Sequence, residues 1–165
     1  MKILITGANG FIGRALISWL RELPGVALKA SVRSGNNEIA PDVEVCVTGD
    51  ISAETRWAEA LVDVDVVIHL AARVHVLREM ANDPLAEFRR VNVAGTLNLA
   101  RQALVAGVGR FIFISSIGVN GSINRRPFTE QDTPNPEDFY ARSKWEAECG
   151  LAALSNDSAM DFVII

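Results

Sequence analysis

The sequence predicts an α/β fold: a doubly wound parallel sheet with helices on both faces, three layers in all, formed by residues 1–165 as one domain. Three observations predict it. Short apolar runs alternate with amphipathic stretches along the whole chain. The runs hold few internal polar residues, as strands covered on both faces require, and Val64–Leu70 is the clearest case. The first run ends in a glycine-spaced turn, with Gly7, Gly10 and Gly13 leading straight into an amphipathic stretch.

Each element has its own signal. Lys2–Thr6 reads as the first strand. Phe11–Leu23 predicts a helix, because Ile12, Ala15, Leu16, Trp19, Leu20 and Leu23 recur at helical spacing and Pro24-Gly25 closes it. Val26–Val32 is a second strand, and Arg33–Pro41, polar with Gly and Asn, a loop. Val43–Val47 is a third strand, ended by Thr48-Gly49-Asp50, and Ala53–Leu61 around Trp57 predicts a short helix. After the fourth strand, Asp83 caps and Pro84 opens a long helix over Pro84–Ala106, stopped by Gly107 and Gly109. Arg110–Ser115 is a fifth strand, Ile117–Pro136 a long polar loop, Asp138–Leu154 a last helix and Met160–Ile165 a sixth strand.

Composition narrows the function classes. The 165 residues are 49% hydrophobic and 22% charged, ordinary for a folded domain. Sixteen Lys and Arg against twenty Asp and Glu leave a net charge of −4, without the basic footprint of a nucleic-acid partner. No apolar run nears the roughly 20 residues of a membrane span, and the N-terminus meets Gly7 too soon for a secretory signal. The expectation is a cytoplasmic protein with no membrane or nucleic-acid partner. Cys46 and Cys149 stand too far apart for metal-ligand spacing and read as buried or half-buried thiols. With only His69 and His75 besides, no metal site is expected, and His69 in its apolar strand reads as a satisfied core histidine.

The first turn carries the first chemistry. A strand, a tight glycine turn and a helix start are what a dinucleotide pyrophosphate needs: one glycine to turn, one to admit the phosphates, one to let the helix pack close. The helix N-terminus offers open N–H groups and a positive dipole end. Gly7, Asn9, Gly10, Phe11, Ile12 and Gly13 are therefore candidate cofactor contacts. NAD and NADP are distinguished at the end of the second strand, where an acid holds the ribose hydroxyls and an arginine holds a 2′-phosphate. That strand ends in Arg33 with Ser31 and Ser34 nearby and no acid, which tilts the reading to NADP.

A second constellation lies at Tyr140 and Lys144, spaced i, i+4 at a helix start and so on one face. A phenol titrates near 10 in water, and a neighbouring ammonium favours the phenolate. Tyr140 is then expected to exchange a proton with a substrate hydroxyl near neutral pH.

The spacing G-x-x-G-x-x-G, together with Tyr140-x-x-x-Lys144 after the fifth strand, resembles the extended short-chain dehydrogenases/reductases, the NAD-dependent epimerase/dehydratase family with its Rossmann-type domain. The resemblance implies further site residues. Asp50 would bond the adenine amine while Ile51 packs on the ring; Leu70, Ala71 and Ala72 would leave room beside the cofactor; Asn92 would brace the central strands. Lys144 would hold the nicotinamide ribose. Ser115-Ser116-Ile117-Gly118-Val119 matches the family's serine motif with Ser116 as the serine on the substrate oxygen, although Asn120 stands where the family often has tyrosine and Ala141 where it usually has glycine. The family's 4,6-dehydratases carry an Asp-Glu pair where this chain has Ile117 and Gly118, so dehydration loses its acid and base.

Arg126–Glu130, Pro134 to Pro136, the stretch Tyr140–Glu148 and Ala71–Val76 resemble bacterial nucleotide-sugar epimerases and 4-ketoreductases of polysaccharide synthesis. That implies hydride transfer at C4 of a UDP-hexose by Ser116, Tyr140 and Lys144. Two alternatives stay open: an NADPH-dependent ketone reductase of the dihydroflavonol-reductase or hydroxysteroid-dehydrogenase type, and a non-catalytic NADP-binding sensor. The resemblance also implies a homodimer joined through a four-helix bundle built from the long helix and the Tyr140 helix. Relatives continue past the sixth strand into a lobe that holds the sugar nucleotide. The chain thus reads as an N-terminal fragment, expected to bind cofactor without turnover of its own.

Overall fold

A computed structural model describes residues 1–35, 39–74, 82–156 and 158–165. Asn36 to Glu38, in the expected polar loop, and His75 and Val76 lie outside the described residues. Six strands form one parallel sheet: β1 (Lys2–Thr6), β2 (Ala27–Val32), β3 (Glu44–Val47), β4 (Val66–His69), β5 (Arg110–Phe113) and β6 (Asp161–Ile164). Their order is β3-β2-β1-β4-β5-β6, so the chain reverses direction across the sheet between β1 and β4. In such sheets a ligand crevice opens at that reversal, beyond the carboxyl ends of the strands. Thr6 pairs in register with His69 on one side and Ser31 on the other, which puts the glycine turn at the crevice.

Strand alternation splits the core into two halves. Ile3, Ile5, Leu28, Ala30 and Ile68 face α1 (Phe11–Leu20), whose Ile17 and Leu20 are buried against them. Leu4, Val67, Phe111 and Phe113 face the opposite layer, where Leu99, Ala103, Ala147 and Leu151 close the core. Leu4 is wholly buried there, and truncating it to alanine would cost about 3 kcal/mol in lost burial and cavity. The three-layer expectation holds.

That second layer contains α2 (Pro84–Phe88), a π-helical stretch (Arg89–Gly95) and α3 (Thr96–Val105), which run on without a break, and α4 (Phe139–Ser155). Asp83 caps α2 as expected, its carboxylate accepting from Ala86 N at 3.0 Å, with Pro84 at the first position.

The structure corrects several boundaries. α1 stops at Leu20, where the chain tightens through Leu23 N to Leu20 O toward Gly25. The expected helix over Ala53–Leu61 is a series of turns. Asn98 and Gln102 on α3 bond the Thr55 carbonyl at 2.8 and 2.9 Å, and the Gln102 side chain accepts from Trp57 N at 2.8 Å. Those tertiary bonds replace the helical ladder while Trp57 remains fully buried. Cys46 is half-buried as expected, but Cys149 is exposed on the outer side of α4.

Candidate active site

The glycine turn is built by close contact. Gly7 has φ +67°, and a side-chain carbon there would lie 2.8 Å from the Ala71 backbone nitrogen. Turn and β4 exit therefore touch with no space for a methyl group. A carbon on Gly13 would lie 2.3 Å from the Gly7 oxygen, so the first turn of α1 rests directly on the glycine turn. Gly10 precedes α1 without a side-chain cap, and no acid stands in its first turn, leaving that helix end suited to an anion. Asn9 supplies its carbonyl to Arg14 Nε at 2.9 Å, and Phe11 and Ile12 project into solvent beside the turn. These features fit a dinucleotide pyrophosphate.

Beneath the turn runs a buried polar chain. Thr6 Oγ1 accepts from Ala71 N at 3.2 Å and bonds His69 Nδ1 at 2.6 Å, while His69 Nε2 bonds Thr96 Oγ1 at 2.9 Å. Both imidazole nitrogens are satisfied, as the sequence suggested. Burial holds His69 down to about 3, so it is neutral at physiological pH and takes no part as an acid or base.

Beyond the β3 exit, Ile51 seats against the π-helical stretch, where a carbon on Gly95 would lie 2.4 Å from Ile51 Cγ2. Arg33 and Asp50 meet directly, Nε to Oδ1 at 2.9 Å, both exposed. Arg33 is thus paired with a carboxylate at the surface. Ser31 is buried and bonded to Thr48 Oγ1 at 2.7 Å.

The β5 exit and the start of α4 bring Ser116, Tyr140 and Lys144 to the same end of the sheet. Ser116 Oγ accepts from Gly118 N at 3.2 Å and starts a single 3₁₀ turn, Ile117–Val119. That turn packs on α4: a carbon on Gly118 would lie 3.3 Å from Ala141 Cβ, and Ala141 fits its helix. Asp138 caps α4, its carboxylate accepting from Ala141 N at 2.7 Å. Lys144 is 2% exposed; its Nζ donates to the Ile114 carbonyl at 2.7 Å and sits 4.4 Å from the Phe113 ring centroid and 5.8 Å from that of Tyr140. Burial lowers Lys144 to about 8, with Glu148 pulling the other way.

Tyr140 departs from the expectation. Burial first, then the Asp138 carboxylate, raises it above the ordinary phenol value rather than lowering it. The Lys144 ammonium sits by the ring and donates to the Ile114 carbonyl.

Asn92 is 1% exposed and ties the two halves of the site together. Its Oδ1 accepts from Arg73 N at 2.8 Å, and its Nδ2 donates to Arg73 O at 3.0 Å and Ser143 Oγ at 2.9 Å. Ser143 Oγ in turn donates to Tyr140 O at 2.7 Å. Asn92 therefore braces the β4 exit against α4, and its amide is occupied by protein groups instead of facing a cofactor. The π-helical stretch is what presents it there. Phe88 stands between Arg73, whose guanidinium lies 5.4 Å from the ring centroid, and Tyr140, whose ring lies 6.4 Å away edge-on.

Residues 3–165 match the model of the NAD dependent epimerase/dehydratase family. The chain belongs to that family. It is 46% identical to a UDP-glucose 4-epimerase of Vibrio cholerae over 99% of this chain and 50% of that protein. It is 33% identical to a dTDP-glucose 4,6-dehydratase of Streptomyces antibioticus over 94% of this chain and 48% of that protein. Among solved structures, the UDP-glucuronic acid 4-epimerase of Bacillus cereus in complex with NAD superposes with a TM-score of 0.84 at 25% identity, covering 99% of this chain and 55% of the other. The chain spans about half the length of these relatives.

Among the described residues no helix is long and apolar enough to cross a membrane, and no cluster of His, Cys, Asp and Glu could hold a metal ion. The tilt toward NADP finds no support: the epimerase neighbour holds NAD. Sequence reasoning missed Phe88, Ser143 and Glu148. Ser143 and Glu148 were legible as polar residues on the Tyr140 helix, Glu148 one turn after Lys144. Phe88 had no signal beyond its place in a helix.

Proposed function

We propose that this chain is the cofactor-binding and proton-transfer half of a UDP-hexose 4-epimerase that uses NAD. One observation carries the reading: Ser116, Tyr140 and Lys144 lie at the β5 exit and the start of α4, at the same end of the parallel sheet as the glycine turn, while Ile117 and Gly118 follow the serine with no acid or base to expel water. A bound nicotinamide would supply reversible acceptance of hydride from the sugar carbon. The chain's own residues would handle the oxygen. As the phenolate, Tyr140 takes the proton from the C4 hydroxyl as that carbon is oxidised, and the phenol returns it when the ketone is reduced. Ser116 donates to the same oxygen and steadies its negative charge. Lys144 uses one of its three hydrogens on Ile114 and has others for the phenolate side and the ribose hydroxyls. Gly7, Gly10 and Gly13 with the start of α1 hold the pyrophosphate, flanked by Asn9, Phe11 and Ile12. Leu70, Ala71 and Ala72 line the nicotinamide side.

NAD is favoured because Asp50 already neutralises Arg33. Asp50→Asn releases the arginine, and the ratio of NADP to NAD affinity rises by about 1.5-fold to fivefold, the scale of one exposed charge pair. An unchanged ratio by calorimetry would remove Arg33 from cofactor choice. The sugar nucleotide itself would be held by the further length that the relatives have, and a second copy would pair along the groove lined by Arg89, Val93, Leu97, Arg101 and Glu146.

The test is turnover by full-length protein. UDP-hexoses with NAD should interconvert at C4 without net cofactor reduction. Net oxidation of added NADH with accumulation of one alcohol would make it a ketoreductase. No turnover of any nucleotide sugar by cofactor-loaded protein would reject both.

A further inference from the structure

One half-buried carboxylate near the site has no part in the chemistry above. Glu148 lies on α4 one turn beyond Lys144, as Lys144 lies one turn beyond Tyr140, so the three form a single row on the helix. Its Oε1 accepts from Ser115 Oγ. Ser115 is the residue between Ile114, whose carbonyl anchors Lys144, and Ser116. Ser115 is itself fixed, its N–H donating to Ile165 O at 2.6 Å. The β5 exit therefore holds Lys144 by a backbone oxygen and Glu148 by a side chain, in adjacent residues.

A lysine that is 2% exposed needs a counter-charge to stay ionised. The groups facing Lys144 are few. From β4 comes His69, neutral and bonded to Thr6 and Thr96. From β5 come the Ile114 carbonyl and the Phe113 ring face. On α4 itself there are Tyr140 and Glu148. Arg89, from the π-helical stretch packed on α4, is engaged by Glu146 instead. Among these described groups Glu148 is the one carboxyl that can offer Lys144 a negative charge.

Building on the function proposed above, we propose that Glu148, oriented by Ser115, is a positioning residue that keeps Lys144 cationic in its buried seat behind Tyr140. Burial raises the Glu148 carboxyl and lowers Lys144 to about 8, while the two favour each other's charged forms. A purely structural Glu148, tying α4 to β5, would affect folding and leave the titration of Lys144 in place.

The chain holds only Lys2, Lys29 and Lys144 as lysines, so each is resolvable by carbon-13 labelling at Cε. The experiment follows the Lys144 signal of this chain from pH 6 to pH 11 in wild type, Glu148→Gln and Ser115→Ala. Glu148→Gln keeps an acceptor for Ser115 and removes the charge; the Lys144 midpoint falls by about one pH unit, the low end for a single neighbouring charge. Ser115→Ala lowers it by less. Glu148→Asp, which keeps the charge, stays closest to wild type and serves if Glu148→Gln does not fold. In full-length enzyme the Glu148→Gln loss of turnover deepens from about twofold at pH 7 to about tenfold at pH 9, following that midpoint. An unmoved Lys144 midpoint in a folded Glu148→Gln or Ser115→Ala variant overturns the proposal. The titration needs no substrate, so failure to find sugar turnover would reject the function while leaving this test intact.

Discussion

Replacing Lys144 by methionine removes a buried charge and leaves an unbranched side chain one atom shorter, and the consequence is readable in stability against pH. Depression of a lysine from 10.5 to about 8 corresponds to about 3 kcal/mol of lost charge solvation. The folded chain releases this proton before the unfolded chain does. Between pH 8 and 10.5 the unfolded state therefore binds more protons, and wild-type stability rises with pH across that window. Below pH 8 the charge is present in both states and its full cost is carried by the fold. Methionine carries no such cost at any pH, although it leaves the Ile114 carbonyl without its donor, a loss of about 1–3 kcal/mol. The difference between the two proteins must then shift by about 2 kcal/mol in favour of wild type from pH 7 to pH 10. Urea titrations followed by tryptophan fluorescence suit the measurement, since Trp57 is fully buried when folded. Parallel stability curves for the two proteins across that range would refute the reasoning, because Lys144 would then titrate alike folded and unfolded.

Three further outcomes follow from the site. Gly7→Ala forces an alanine to φ +67° with its methyl 2.8 Å from the Ala71 nitrogen; it should lose about 2–4 kcal/mol in urea unfolding and all measurable NAD binding by calorimetry. Asn92→Leu strips partners from Arg73 N, Arg73 O and Ser143 Oγ, and should destabilise by about 3 kcal/mol in the same assay. His69 titrates at about 3 when folded and near 6.5 when unfolded, so its contribution to stability is complete above pH 6.5 and is lost as pH falls. His69→Asn should flatten the loss by about 2 kcal/mol between pH 7 and pH 5, read from urea midpoints.

The sheet was legible because parallel strands buried on both faces leave unbroken apolar runs, and Val64–Leu70 could hardly be anything else. The glycine turn was legible because each glycine answers a local need, and the contacts at Gly7 and Gly13 are those needs. Ala53–Leu61 misled because its backbone groups are bonded by Asn98 and Gln102, more than forty residues away, and no local pattern encodes that. The π-helical stretch was hidden since its apolar spacing barely differs from that of an α-helix; the buried Asn92 was its one trace. The pairing of Arg33 with Asp50 was out of reach, since the sequence does not reveal that Asp50 folds back to meet it. The elevated proton affinity of Tyr140 was likewise out of reach, since it depends on burial and on Asp138 acting as the helix cap.

The central claim is that Tyr140, with Ser116 and Lys144, serves a reversible hydride transfer at a sugar C4. Full-length protein, NAD and a UDP-hexose carrying deuterium at C4 test it directly by mass and proton spectra of the product. The account predicts a 4-epimer that keeps its deuterium, and a Tyr140→Phe variant that binds NAD nearly as wild type yet forms none. Loss of the deuterium to solvent, or undiminished epimer from Tyr140→Phe, would contradict it.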